Sequence, residues 1–139
     1  MPERILDVGC GSGILALAAL RLGAVRAVGL DTDPLAIDAT RANAERNDLA
    51  DAVEVRHGTL PAQPEERYGL VLANLVAVVL IGLASRLVAH LAPGGALLVG
   101  GIIQPRAVEV TGAMLVAGLR VAERRDDGEW VSLRLEHDA

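Results

Sequence analysis

Apolar residues come in short blocks along this chain, and the block lengths alternate between strand and helix. Residues 5–8 form a compact apolar run broken by one acid, Asp7, and glycines follow at alternate positions, Gly9, Gly11 and Gly13. Residues 14–22 are almost wholly apolar, which predicts a helix packed on a sheet, and Gly23 suits its C-terminal turn. A second strand over 27–30 ends in Asp31, after which Asp33-Pro34 supplies an N-cap acid and a proline at the first position of a helix reaching about Asn47. Residues 53–56 predict a third strand and 61–67 a loop with room for one helical turn. Residues 69–73 predict a fourth strand closing on Asn74. A nearly uncharged helix follows over 76–91, then a tight turn at Pro93-Gly94-Gly95 and a fifth strand over 96–99. The last helix spans 106–117 and is stopped by Gly118.

Beyond that glycine the rhythm changes to period two. Residues 119–124 and 129–135 alternate on either side of Asp126-Asp127-Gly128, the pattern of an antiparallel hairpin. Five βα units and a terminal hairpin predict an α/β, Rossmann-like fold: a seven-stranded, mostly parallel sheet with one reversed strand. No repeat, low-complexity tract or linker divides the chain, so 1–139 reads as one domain.

Composition narrows the partners. The net charge is −5, the longest basic run is Arg124-Arg125, and Tyr68 and Trp130 are the only aromatic residues. A nucleic-acid surface would need a basic stripe or stacking aromatics, so no direct nucleic-acid contact is expected. The longest apolar run, 75–85, is too short to span a bilayer, and charged Glu3 and Arg4 argue against a signal peptide, so a cytoplasmic protein is expected with no membrane contact. A single cysteine, Cys10, excludes an internal disulfide and reads as a small filler.

The candidate chemistry gathers at the first glycines. Strand, glycine turn and helix make the nucleotide-binding half of a βαβ unit, and Asp31, 18 residues beyond Gly13, can accept hydrogen bonds from ribose hydroxyls. Dinucleotides call for G-x-G-x-x-G, whereas this chain has G-x-G-x-G with Asp7 two residues before it. A carboxylate there suits an ammonium, so the pattern favours S-adenosylmethionine over NAD. Thr59 either offers a hydroxyl to the adenine edge or is a turn residue, and exposed His57 reads as bland. Asn74, at the carboxyl end of a parallel strand, should face the ligand crevice and accept from a substrate amine; it can equally cap the next helix. Arg41, Asn43, Glu45 and Arg46 read as a solvated face.

These motifs resemble the class I S-adenosylmethionine-dependent methyltransferases. The segments Ala73-Asn74-Leu75-Val76-Ala77, Gly101-Ile102-Ile103 and Asp127-Gly128-Glu129-Trp130-Val131 look more closely like the ribosomal protein L-eleven methyltransferase family (PrmA), over essentially all 139 residues. The resemblance implies methyl transfer to lysine side chains and the α-amino group of a ribosomal protein. It also implies a cofactor site of Asp7, Gly9, Gly11, Gly13, Asp31, Thr59 and Asn74, with Asn74 orienting the attacking nitrogen. Many class I enzymes have an acid where Thr59 stands. Family members also carry an N-terminal substrate-binding domain, a linker and a further cofactor loop, none of which is in this sequence. A small-molecule methyltransferase and a cofactor-binding module without turnover are the alternative readings.

Overall fold

Strands that are apolar on both faces demand cover on both faces, and β1 shows how this chain supplies it. The computed structural model describes residues 1–138, and in it β1 (Arg4–Val8) turns Ile5 toward one core and Leu6 and Val8 toward another. The Ile5 core is closed by α1 (Ile14–Arg21), which buries Ala16, Leu17, Ala19 and Leu20. The other core lies under α3 (Ala77–Ala89) and α4 (Ala107–Val116), through Leu80, Leu87, Val110 and Met114. The remaining elements are β2 (Arg26–Asp31), α2 (Pro34–Arg46), β3 (Val53–His57), β4 (Tyr68–Asn74), β5 (Leu91–Ile103), β6 (Leu119–Asp127) and β7 (Trp130–His137). Short 3-10 turns occupy Ala50–Ala52 and Gln104–Arg106.

The sheet order is β3-β2-β1-β4-β5-β7-β6. Pairing is parallel from β3 through β5, and β7 runs antiparallel to both β5 and β6, making it the single reversed strand expected. Parallel pairing brings the carboxyl ends of β1, β2 and β4 to one edge, and the chain order reverses between β1 and β4, where ligands settle in such sheets.

Four of the sequence expectations change. Among the described residues there are four α-helices where five βα units were expected, because β3 returns to β4 through bends alone; 61–67 is the loop expected, and its two prolines deny it a helix. Pro93-Gly94-Gly95 lies inside β5 as an irregularity between the Tyr68–Leu91 and Leu70–Ala96 pairs. Gly95 is needed there, since a Cβ would stand 2.9 Å from the Ala92 carbonyl and 3.0 Å from that of Tyr68. Ladder pairing carries β6 through Asp127, leaving a two-residue loop, Gly128 and Glu129. The acids that read as a turn are held in the ladder, Asp126 by Arg124 at 2.8 Å and by Gln104 at 3.1 Å. Finally, the residue capping α3 is Val76, with no side-chain hydrogen bond, so Asn74 is not its cap.

Candidate active site

Three segments meet at the carboxyl edge: the glycine loop after β1, residues 31–33 after β2, and residues 58–60 after β3. Gly9, Gly11 and Gly13 have φ of +72°, +56° and +84°, a region where a side chain is strained. Their surroundings differ. A Cβ on Gly9 would lie 2.5 Å from Leu75 Cδ2, and one on Gly13 2.8 Å from Thr40 Cγ2. Around Gly11 a Cβ would meet nothing within 4 Å. Gly9 and Gly13 are therefore small so that neighbours fit, whereas Gly11 borders open space.

Asp31 ties these segments together. Its Oδ2 accepts from the Gly11 N–H at 3.0 Å and its Oδ1 from the Asp33 N–H at 2.9 Å. Each oxygen keeps a second lone pair, so the carboxylate can brace the loop and still receive hydroxyls. Asp33 accepts from the Leu35 N–H at 2.9 Å and caps α2 with Pro34 behind it, as the sequence predicts.

Asp7 is placed differently from a surface carboxylate. It lies mid-sheet between Gly29 and Leu72, only 1% exposed, and its Oδ2 has no hydrogen-bond partner. Burial pushes its pKa from 3.8 to about 6; the Ala16 backbone draws it down in part, and the charge of Asp31 adds to the rise. Cys10 is the filler expected: it is buried, its Sγ would stand 3.2 Å from a Cβ on Gly29, and burial raises its thiol pKa.

Above the loop a cleft of about 370 Å³ runs between Gly9, Asp31 and Thr32 on one side and Leu75, Val79 and Leu83 of the α3 region on the other. Gly58, Thr59 and Leu60 close its end, so exposed Thr59 does line it. His57 does not; its ring nitrogen meets the Thr32 carbonyl at 2.9 Å and braces the rim. A larger groove of about 430 Å³ opens behind the 58–60 segment, toward Arg56, Tyr68 and His90. It touches neither the glycine loop nor Asp31, so the smaller cleft is the candidate site.

Asn74 ends β4 beside Gly100 of β5, one residue before Leu75 of the cleft wall. A Cβ on Gly100 would approach its Oδ1 to 3.3 Å and one on Gly101 to 2.8 Å, so the two glycines leave room for this amide. Beyond them β5 and β7 end together in paired Ile103 and Trp130, which are 41% and 50% exposed and give this edge an apolar patch.

Two residues of the site escape the sequence reading. Thr40, 0% exposed, donates to the Gly11 carbonyl at 2.9 Å, and Asn43 donates to the Ser12 carbonyl at 2.8 Å. Asn43 thus leaves the solvated face assigned to it. The available signal was the buried stripe of α2, Ile37, Thr40 and Ala44, in which one position carries a hydroxyl. Among the described residues no acidic, cysteine or histidine cluster could hold a metal ion, and no helix is long and apolar enough to cross a membrane.

Residues 1–138 match the family model described as ribosomal protein L11 methyltransferase (PrmA). A ribosomal protein L11 methyltransferase of Pelotomaculum thermopropionicum is 48% identical over 129 residues, which cover 93% of this chain and 42% of that protein. One from Xylella fastidiosa is 54% identical over 107 residues, 76% of this chain and 34% of that protein. The chain therefore spans less than half the length of these relatives. The crystal structure of a ribosomal protein L11 methylase from Lactobacillus delbrueckii subsp. bulgaricus superimposes with a TM-score of 0.95 at 27% identity, over 100% of this chain and 72% of that one. A methyltransferase from Geobacter sulfurreducens in complex with S-adenosyl-L-homocysteine shares the fold, with a TM-score of 0.78 at 17% identity over 98% of this chain and 85% of that one.

Proposed function

The chain belongs to the ribosomal protein L11 methyltransferase (PrmA) family, and on that footing we propose that it is the catalytic domain of an S-adenosylmethionine-dependent enzyme methylating amines of that ribosomal protein. The observation that carries the reading is the joining of Gly11, Asp31 and the apolar cleft at one sheet edge, with Asn74 beside it. The donor and acceptor set fits the cofactor. Asp7 Oδ2 is a buried acceptor without a donor, the kind of partner an ammonium supplies, and the space over Gly11 admits a ligand against the backbone. Asp31 would receive the ribose hydroxyls, and Leu75, Val79 and Leu83 would cover the adenine, with Thr59 at its edge.

When bound, S-adenosylmethionine supplies an electrophilic methyl group on a sulfonium. The chain's own residues then have little covalent chemistry to do. Asn74 offers an amide oxygen to the attacking amine, which it can orient but from which it takes no proton. Lysine's ordinary pKa is near 10.4, so the amine must arrive neutral; the positive charge that the cofactor would place beside it disfavours the ammonium form. Alignment of nitrogen, methyl and sulfur supplies most of the rate, up to roughly 7–11 kcal/mol in favourable model systems. We place this enzyme in the cytoplasm, where its ribosomal substrate is made.

The test fuses the chain to the N-terminal portion of the Pelotomaculum relative and follows label from methyl-tritiated S-adenosylmethionine into purified ribosomal protein L11. Incorporation at lysine and α-amino nitrogens is expected, lost in Asn74→Ala while S-adenosylhomocysteine still binds. Normal cofactor binding with label passing to small amines and none to the ribosomal protein would overturn the substrate.

A further inference from the structure

The glycine loop is held from below as well as from the side. Its Gly11 N–H is taken by Asp31, its Gly11 carbonyl by the Thr40 hydroxyl at 2.9 Å, and its Ser12 carbonyl by Asn43 at 2.8 Å. Thr40 and Asn43 stand three apart on α2, hence on one face of that helix. The Thr40 side chain also occupies the space that a Cβ on Gly13 would take, and its hydroxyl lies 3.4 Å from Cys10 Sγ. Neither Thr40 nor Asn43 borders the cleft, so their effect on a ligand must pass through the backbone.

Peptide planarity says what that effect is. The N–H of Ser12 belongs to the same rigid unit as the Gly11 carbonyl and points the opposite way. With that carbonyl drawn toward α2 by Thr40, the Ser12 N–H is turned away from α2. It finds no acceptor among the described residues, and Ser12 is exposed. We propose that Thr40 is a positioning residue whose hydroxyl, by holding the Gly11 carbonyl, aims the Ser12 N–H at the carboxylate of the cofactor's amino-acid end. Asn43 steadies the next peptide of the loop. An N–H fixed before binding costs no ordering when an anion arrives, and a charged acceptor strengthens the bond.

This inference rests on the proposed cofactor, and its test keeps the two apart. Calorimetry on the 139-residue chain compares S-adenosylhomocysteine, which has the amino-acid end, with 5′-methylthioadenosine, which lacks it. Thr40→Val keeps the shape and removes the hydroxyl; it should weaken S-adenosylhomocysteine by about ten-fold or more while leaving 5′-methylthioadenosine within about two-fold. Thr40→Ser should restore the wild-type ratio. A merely structural Thr40 would lower both affinities together, and that result overturns the proposal. Equal binding of both ligands by wild type and Thr40→Val overturns it as well. Failure of wild type to bind either ligand would sink the cofactor reading itself.

Discussion

The buried carboxyl of Asp7 gives the most quantitative prediction. Burial raises its pKa in the folded domain to about 6 against 3.8 for the exposed carboxyl of the unfolded chain, and a unit of pKa corresponds to about 1.36 kcal/mol. A raised pKa means that the folded state holds the proton more tightly than the unfolded chain. This contribution to stability is complete below about pH 4 and is lost as pH rises through about 6, a total of about 3 kcal/mol. Asp7 is 1% exposed, so solvent does little to reduce the figure. Asp7→Asn removes the ionisation. Without ligand the variant should match wild type near pH 4 and exceed it by up to about 3 kcal/mol at pH 8 in urea melts. A difference that stays flat from pH 4 to 8 would refute the assignment of the titration to Asp7.

The same carboxyl links binding to protons. An ammonium brought to Oδ2 favours the ionised form, so the pKa falls on binding and a proton is released near pH 6. Wild-type affinity for S-adenosylhomocysteine should climb through that range and level off above it. Asp7→Asn should bind more weakly at pH 8 and lack the climb. Calorimetry in two buffers of different ionisation enthalpy reads the released proton directly. No proton release near pH 6, with binding intact, would put the ammonium elsewhere.

Two further changes address the loop. Asp31→Ala strips acceptors from the Gly11 and Asp33 N–H groups, each worth about 1.5–3 kcal/mol when the acceptor is charged; S-adenosylhomocysteine affinity should drop at least about ten-fold and the melting temperature should fall with it, and unchanged affinity by calorimetry would move the ribose site away from Asp31. A Cβ at Gly11 meets no protein atom within 4 Å, and Gly11→Val puts a branched side chain into that open space at a φ of +56°, so cofactor binding should vanish while circular dichroism keeps its α/β signature; retained binding would mean that the ligand does not approach Gly11.

The fold was legible because burial on two faces leaves a plain mark. Strands β2 and β4 read as apolar runs and β1 as one broken only by Asp7, α1 and α3 as longer ones, and Asp33-Pro34 marks the start of α2 by a local hydrogen bond that the structure contains. The misreadings came where pairing between distant segments outweighs local preference. Nothing near Asp126 says that Gln104, 22 residues away, will help to hold it in a strand. Nothing near Pro93 says that Leu91 pairs with Tyr68 and pulls the turn into β5.

The site divides along the same line. The members proposed to face the ligand are special residues in a fixed order, so Gly11 and Asp31 are legible from spacing and Asn74 from its place at the end of a predicted strand. What supports them comes from another helix, and no local signal says which loop it will meet: Thr40 meets Gly11 across 29 positions and Asn43 meets Ser12 across 31. Asp31 shows why the two sets cannot be separated in function. One carboxylate holds the loop through Gly11, holds the start of α2 through Asp33, and borders the cleft. A ligand that engages Asp31 therefore acts on a group already fixed at both oxygens, and the support from α2 reaches the same loop from its other side. Pre-organisation of this kind lowers the ordering cost of binding, so losses from Thr40 and Asp31 should be less than additive when the two changes are combined.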